Sequence, residues 1–345
     1  MPVLAETGKV WIASRLVATA GTVLVTGGAG FIGSHTVRAL RNAGREVVVL
    51  DSLELGTAEA VLDAPLIVGE ITDRDLVIDT CKRHGATQVV HFAAYKSVGE
   101  SMKRPLKYWR NNVAGSAELF DACLAAGARD VVISSSCSVY GTPIRVPVTE
   151  QDRVAPESVY AETKATVERM LHWYGTSAGL RSVSLRYFNA AGASFDGKLG
   201  EDWTFSINLI PIVMKALLLN GHRLQVFGDD YETVDGTCIR DYIHVEDLAD
   251  AHVRALDYLA TGGESIAVNI GTGTGSTVME VIRTAEQVAE ADVPHEIVDR
   301  RAGDPSATFA DPTFAERTLG WRAQHGLDAI VRSAYDWHRA QVAQG

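Results

Sequence analysis

Cysteine is scarce in this 345-residue chain, and its four copies, Cys81, Cys123, Cys137 and Cys238, form no Cys-x-x-Cys pair and no Cys/His cluster. That argues against a zinc site or a redox pair and predicts no metal, with the thiols reduced. No uninterrupted run of eighteen apolar residues occurs, so no membrane-spanning helix is expected. Together these two absences suggest a cytoplasmic protein. Positive charge is in deficit: 32 Lys and Arg stand against 43 Asp and Glu, a net charge of −11. Such a balance argues against non-specific binding to nucleic acid or to an anionic membrane. An anionic small ligand would need locally placed Arg, Lys or backbone N–H groups. Internal repeats and low-complexity tracts are also missing.

The opening "MPVLAETGKVWIASRLVATA" only faintly suggests a signal peptide. Arg15 interrupts its apolar stretch and Glu6 lies upstream, so residues 1–20 are expected to be a loose leader before the first strand.

What is present is an ordinary core-forming composition, 46% hydrophobic and 22% charged, in a length that suits one large or two moderate domains. "TVLVT" (22–26) opens a series of short apolar strands. "REVVVLD" (45–51), "LIVGEI" (66–71), "QVVHFAA" (88–94), "DVVISSS" (130–136) and "RSVSLRYF" (181–188) follow, with helical or polar stretches between them. Continuous apolar strands alternating with helices predict an α/β fold, a doubly wound parallel sheet of Rossmann-like type. After about residue 190 the rhythm loosens. Glycines and acids cluster in "GASFDGKLGED" and "FGDDYETVDGT", and a strand-like "IAVNIG" (266–271) precedes three helical stretches. The expected division is a dinucleotide-binding domain over 21–190, with segments around 235–270 returning to its sheet, and a smaller, irregular substrate-binding region over 191–345.

Gly27, Gly30 and Gly33 follow the first strand directly and open a helix. Glycines at that spacing allow a tight turn, close approach of a pyrophosphate to backbone, and close helix–sheet packing. The helix N-terminus adds free N–H groups and a positive dipole end. Asp51 ends the second strand, 24 residues after Gly27. A carboxylate there accepts hydrogen bonds from ribose hydroxyls and repels a 2′-phosphate, favouring NAD over NADP.

"YAETK" (160–164) lies in a predicted helix, "SVYAETKATVERMLHWYG" (158–175), with Ser158 as its expected N-cap. At helical spacing Tyr160, Lys164, Val167, Met170, Leu171 and Tyr174 are assigned to one face, and Glu162, Glu168, Arg169 and His172 to the other. Lys164 thereby falls on the apolar stripe, where a solvated lysine has no reason to be. Snorkelling is one account. The sharper one is that an ammonium beside a phenol lowers the tyrosine pKa towards neutrality and makes Tyr160 a usable acid or base. "SSSCSVYG" (134–141) ends a predicted strand at the ligand-binding edge of such sheets, and a Ser hydroxyl there can bond a substrate oxygen and orient its proton.

Taken in order, "VTGGAGFIGSH" (25–35), "HFAAYKSVGES" (91–101), "NNVAG" (111–115), "SSSCSVYG", "YAETK", "LRYFNAAGA" (185–193), "NLIP" (208–211), "DGTCIRDYIHVEDLADAH" (235–252) and "RRAGDP" (300–305) resemble the extended short-chain dehydrogenase/reductase family from Thr22 onward. Within that family the pattern is most similar to the UDP-glucose 4-epimerases, also called UDP-galactose 4-epimerases. The resemblance implies an isomerase that inverts carbon 4 of UDP-galactose and UDP-glucose through a transient 4-keto sugar, with tightly held NAD that is not consumed. Ser136 and Tyr160 would be the catalytic hydroxyl and the acid/base. Lys164 would hold the nicotinamide ribose and the state of Tyr160. Phe31, Ile32, Asp51, Ser52, Glu70, Ile71, Phe92, Ala93, Ala94, Lys96, Asn111 and Ser134 match positions that line NAD, and Tyr187 would pack near the nicotinamide. Glu70 stands where relatives usually carry Asp at the adenine.

For the UDP-sugar, Asn189, Asn208, Leu209, Phe227, Arg240, Tyr242, Arg301, Asp304 and Thr308 match substrate positions, alongside Lys96, Ser136 and Tyr160. A diphosphate suits guanidinium forks, although Arg240 reads equally well as an ion pair with Asp241 or Asp247. Thr308, being small, would leave room for an N-acetylhexosamine. Other members of the family act on UDP-pentoses or UDP-uronates as epimerases or decarboxylases. A 4,6-dehydratase would need an Asp-Glu pair where this chain has Cys137 and Ser138, and a non-catalytic NAD-binding relative would tend to lose Tyr160 or Lys164. Relatives are often homodimers that pair through segments equivalent to 100–126 and 160–178, and some apolar residues of "AELFDACLAAG" (117–127) are expected to face outward.

Overall fold

A computed structural model of the chain describes residues 21–204, 206–301 and 303–344. The expected leader at 1–20 lies outside the described residues. The chain begins with β1 (Thr22–Thr26), α1 (Phe31–Asn42), β2 (Val47–Asp51), β3 (Leu66–Val68), α2 (Arg74–His84) and β4 (Ala86–His91). Then come α3 (Val98–Lys103), α4 (Pro105–Tyr108), a π-helical turn (Trp109–Gly115), α5 (Ser116–Ala126), β5 (Asp130–Ser136), α6 (Val159–Ala178) and β6 (Arg181–Tyr187). A later strand, β11 (Ile266–Ile270), completes a seven-stranded sheet in the order β11-β6-β5-β4-β1-β2-β3, with every pairing parallel.

The sheet forms where the sequence is β-branched and apolar, because both of its faces are covered. Side chains alternate across a strand. Val23 and Val25 pack with Val49 on one face, and Leu24, Val48 and Leu50 on the other. The first face carries α1 and a long later helix, α8 (Val245–Ala260), whose Leu248, Ala251, Ala255 and Leu256 are fully buried. The second carries α2, α5 and α6 through Val77, Leu119, Phe120, Val167 and Leu171. Strand order reverses between β1 and β4. Crevices for ligands open there, at the carboxyl ends of the strands.

Between β6 and the C-terminus lie β7 (Asn189–Ala191), α7 (Leu209–Leu218), β8 (Leu224–Phe227), β9 (Ile239–Arg240) and β10 (Tyr242–His244). After β11 come β12 (Ser276–Thr277), α9 (Val278–Ala289), β13 (His295–Val298), β14 (Ala307–Thr308), α10 (Thr313–Leu319) and α11 (Leu327–Gln344). The short strands make three small sheets: β7 with β10, β8 with β13, and β12-β9-β14. Helices α7, α9 and α11 close a separate core of Ile210, Val213, Met214, Val281, Ile282, Ile330 and Val331. Thr277 and Glu280 form a full capping box at the start of α9.

Two sequence expectations change in detail, and a third is narrowed. The strand over 66–71 stops at Val68 because its partner β2 ends at Asp51, whose carbonyl takes a further inter-strand bond from the Gly69 N–H. The strand over 88–94 leaves the sheet after His91. The Phe92 and Ala93 N–H groups both donate to the Thr26 carbonyl, at 2.8 and 3.2 Å, and so bend residues 92–94 over the end of β1. In 117–127 the apolar residues left toward the outside are small or half-buried, Ala117, Leu124, Ala125 and Ala126, while the large Leu119 and Phe120 are in the core. No helix among the described residues is long and apolar enough to cross a membrane.

Candidate active site

One open cleft of about 340 Å³ runs along the carboxyl ends of β1, β2 and β4–β6. Every residue that the sequence assigns to the dinucleotide borders it: Gly27, Gly30, Phe31, Ile32 and Gly33 at the turn; Asp51, Ser52, Glu70 and Ile71 at one end; Phe92, Ala93, Ala94, Lys96 and Asn111 along one wall; Ser134, Tyr160, Lys164 and Tyr187 at the other end.

The glycine turn is specific in what it tolerates. Gly27 has φ +73°, and a Cβ there would lie 2.5 Å from the Ala93 nitrogen. A Cβ on Gly33 would lie 2.2 Å from the Gly27 carbonyl oxygen. Gly30 differs: a Cβ would meet no protein atom closer than 3.5 Å. Gly30 therefore has no internal packing reason to be glycine, and a side chain there would fill the cleft at the start of α1. Backbone left bare beside a helix N-terminus is what a pyrophosphate requires. At the end of β2, Asp51 is buried and braced. Its Oδ2 accepts from the Ala29 N–H and its Oδ1 from the Leu53 N–H, both at 2.9 Å. Each carboxylate oxygen keeps a second lone pair for a hydroxyl in the cleft. These residues fit NAD.

The reactive candidates meet at the other end. Helix α6 starts as expected, with Ser158 accepting from the Ala161 N–H at 3.2 Å, so Tyr160 stands in its first turn. Lys164 is 7% exposed, and its Nζ donates to the Ser134 carbonyl at 2.7 Å. Ser136, at the last position of β5, accepts at Oγ from the Ser138 hydroxyl at 2.9 Å and from the Ser138 N–H at 3.2 Å. The Tyr187 hydroxyl is hydrogen-bonded to Ser134.

Protonation departs from the sequence expectation. Burial pushes the Tyr160 phenol up to about 12, opposed by a hydrogen bond to Ser136. Lys164 lies 5.9 Å from the Tyr160 ring centre and is committed to the Ser134 carbonyl, so in the chain alone it does not bring the phenol to neutrality. Burial pulls Lys164 itself down to about 8, while Glu168 opposes that fall.

Helical assignment of Glu168 also needs correction. Residues four apart differ by only about 40° around a helix. Glu168 therefore lies on the flank of Lys164, not opposite it. Its side chain is largely buried and paired with Arg186 at 2.5 Å.

Residues assigned to the substrate are gathered in smaller groups beyond the cleft. Arg240 and Thr308 are register partners on β9 and β14. Arg240 donates to the Pro305 carbonyl at 2.9 Å and lies 3.6 Å from Asp304. The suggested ion pairs with Asp241 or Asp247 do not form. Asp241 is occupied by Thr272, Gly273 and Ala310, and Asp247 by Gln324 and His325. Arg301 stacks on Phe227 with its guanidinium 4.2 Å from the ring centre. Tyr242 pairs in register with Asn189, whose amide donates to the Asp241 carbonyl at 3.0 Å. Leu209 packs in the second core. Thr308 is buried, with a hydroxyl that has no protein partner.

Several residues that the sequence did not single out organise this site. Glu201 is buried at the cleft, and its Oε1 accepts from Ser206 at 2.8 Å, Asn208 at 2.9 Å and Lys96 at 3.3 Å. Asn112, in the π-helical turn, clasps the Tyr95 backbone through both N–H and carbonyl and reaches Thr163 on α6. Tyr95 donates to Glu54 across the cleft at 2.5 Å. Only the acid-rich context of "GKLGED" hinted at Glu201. The others carry no periodic signal.

Comparison with known proteins agrees with this construction. The model of the NAD dependent epimerase/dehydratase family matches residues 23–271. A UDP-glucose 4-epimerase of Rhizobium leguminosarum bv. trifolii is 47% identical over 317 residues, covering 92% of this chain and 97% of its own. The crystal structure of UDP-glucose 4-epimerase from Brucella ovis in complex with NAD superposes with a TM-score of 0.91 at 45% identity, covering 93% of this chain and 99% of that one. A UDP-glucose 4-epimerase from Stenotrophomonas maltophila, with bound NAD and formylated UDP-arabinopyranose, gives 0.92 at 40% identity, covering 94% and 100%. With a seven-stranded Rossmann-like sheet, a bare glycine turn beside Asp51 and relatives matched along nearly their whole length, the chain belongs to the NAD dependent epimerase/dehydratase family, among its UDP-glucose 4-epimerases.

Proposed function

We propose that this chain interconverts UDP-galactose and UDP-glucose at carbon 4, with Tyr160 as acid and base, Ser136 as its hydrogen-bonding partner and Lys164 as the fixed cation. The observation that carries the assignment is that Tyr160 and Lys164 line the inner end of the cleft that begins at the glycine turn, with Ser136 hydrogen-bonded to Tyr160. NAD⁺, when bound, supplies the hydride acceptor and donor for the sugar carbon and adds a second positive charge to the cleft. Tyr160 removes the proton of the 4-hydroxyl and later returns it. Ser136 bonds the same oxygen and relays the proton, taking it from the 4-hydroxyl as it gives its own to the Tyr160 phenolate, and the reverse on return. Lys164, anchored on the Ser134 carbonyl, holds its charge within reach of the phenol and of a ribose hydroxyl.

Inversion requires the sugar to present both faces while its nucleotide stays put. Arg240 and Arg301 are the cations for the diphosphate, with Phe227 and Asn208 beside the nucleotide and Asn189, Tyr242 and Lys96 toward the hexose. Guanidinium groups grip phosphate in two places at once, which leaves the transient 4-keto hexose free to turn. Residues 21–190, with the returning segments near 235–270, serve NAD, and 191–345 serve the UDP-sugar. The enzyme works in the cytoplasm as a homodimer. Exposed Met102, Leu106 and Trp109, and exposed Trp173 on α6, are apolar surface within the two segments expected to pair.

One experiment tests the core of this reading. Purified protein is incubated with UDP-galactose, without added NAD, and UDP-glucose is followed by NMR. Product is expected from retained cofactor. No conversion, with or without NAD, overturns the reading.

A second reading concerns substrate range. The Stenotrophomonas relative holds a UDP-pentose derivative, and the small Thr308 offers space that a bulky residue would remove. Epimerisation of UDP-pentoses or UDP-N-acetylhexosamines is tested by the same assay with those sugars.

A further inference from the structure

Behind the reactive face of α6 lies a buried polar ladder with no contact to the cleft. Glu168, one helical turn after Lys164, accepts at Oε1 from the Ser135 hydroxyl at 2.5 Å and from Arg186 Nε at 3.0 Å. Its Oε2 accepts from Arg186 Nη2 at 2.5 Å. Arg186 Nη1 then donates to the Tyr140 hydroxyl at 2.9 Å, and Tyr140 donates to Asn269 at 2.7 Å. The ladder thus ties α6 to β5, β6 and β11. Lys164 bonds the backbone of Ser134, Glu168 bonds the side chain of Ser135, and the next residue is Ser136.

We propose that Glu168 is a positioning residue for the reaction: it locks the reactive helix to the serine strand and supplies the anion that keeps Lys164 an ammonium. The proposal rests on the roles assigned above to Tyr160 and Lys164. Its physical basis is the charge inventory around Lys164. Tyr160 and Glu168 face it from its own helix, Ser134 from β5, and His91 from β4; Tyr187 and Arg186 lie on the neighbouring β6. His91 is held neutral by burial, between Thr26 and Ser116. The phenols are neutral as well, and Arg186 is a cation. Glu168 is thus the negative charge that offsets the desolvation of the ammonium. Arg186 in turn pays for burying Glu168, so the pair can persist without solvent.

A purely structural ion pair would affect folding and leave Lys164 indifferent. The two roles separate in the Glu168→Gln variant. Its Lys164 is titrated by NMR of [13Cε]lysine-labelled protein, with the signal assigned by loss in Lys164→Met. The pH profile of kcat/KM for UDP-galactose is measured in parallel. The expected result is a fall of about one unit in the Lys164 midpoint, and with it the alkaline limb, so that activity above that limb drops about tenfold. At pH 6.5 the activity stays within about threefold of the parent, by the same arithmetic.

Because glutamine leaves Arg186 buried without its counter-charge, Glu168→Gln/Arg186→Met removes the pair together and guards against a folding failure. A downward shift is expected there too, smaller because loss of the Arg186 cation offsets part of the loss of the Glu168 anion, with thermal stability recovered. A Lys164 midpoint unmoved in both variants overturns the role of Glu168. Full activity in Lys164→Met overturns instead the site reading on which the proposal stands.

Discussion

On the glycine side of the molecule, the groups that await a ligand are backbone atoms and one carboxylate, each fixed by the sheet. On the far side they are long side chains resting on local partners. Asp51 is held by two N–H donors, and Gly30 offers bare backbone at a helix start. Arg240, by contrast, leans on the Pro305 carbonyl and Asp304, and Arg301 lies on the Phe227 ring. The first arrangement binds by being preformed. In the proposed roles the second exchanges contacts to local partners for bidentate bonds to phosphate. That difference suits an enzyme whose cofactor stays while its substrates come and go.

The seam between the two sides offers the largest effect. Tyr160→Phe removes one hydroxyl and no packing volume. Epimerisation is expected to fall by about 10²–10⁴-fold, while NAD copurifies as before. Near-normal turnover, measured by NMR conversion of UDP-galactose, would break the assignment. Loss of NAD from this variant would break the claim that the cofactor side is built independently.

Next in size, two glycine substitutions separate ligand space from internal packing. Gly30→Val places its side chain in the cleft. The protein is expected to keep its melting temperature and to lose bound NAD, seen as the absence of nucleotide absorbance after purification. Gly33→Ala drives a methyl into the Gly27 carbonyl. It is expected to cost about 1–3 kcal/mol of stability in denaturant titration. If Gly30→Val retains NAD in full, the preformed side is not where the pyrophosphate lies.

The same contrast explains what the sequence could disclose. Recognition by backbone demands particular glycines at particular spacings, so Gly27, Gly30, Gly33 and Asp51 were legible as a group, as was the parallel sheet from its β-branched runs. Lys164 was legible because a charge on an apolar stripe is an anomaly. Glu201 and Asn112 were not, since their partners come from distant segments and a lone acid or amide in a loop has no period. Glu168 was misplaced for a different reason. A carboxylate with a buried arginine 18 residues away looks like a solvated one until β6 is laid beside α6. The state of Tyr160 was misjudged too, because a four-residue spacing brings two side chains near each other without fixing where the ammonium points.

On the substrate side, Arg301→Met is the sharper probe of movable grip. It removes the guanidinium while keeping a chain that can cover Phe227. A charged hydrogen bond is worth about 1.5–3 kcal/mol, so KM for UDP-galactose should rise about 10–100-fold. NAD content and kcat at saturation should hardly change. A fall in kcat with KM unchanged would mean that Arg301 acts on the chemical step, and the division between the two sides would fail there.

Acid should act on both sides alike, and this is the smallest effect on turnover. Burial lowers His35 and His252 to about 4 and His91 to about 3 around the sheet. It lowers His244 to about 3 and His338 to about 4 in the second half. Each binds a proton more readily unfolded, near 6.5, than folded. Their contribution is therefore complete above pH 6.5 and is lost as pH falls toward 4. Glu150, Glu246 and Asp241, raised by burial, oppose this loss where they titrate. With the histidines on both sides, the melting temperature should fall by several degrees between pH 6.5 and 5 in one cooperative transition. His338→Gln should lessen the drop, provided the stack on Trp203 tolerates the amide. Two separate transitions in acid, with NAD lost only in the second, would show that the preformed side survives without the movable one.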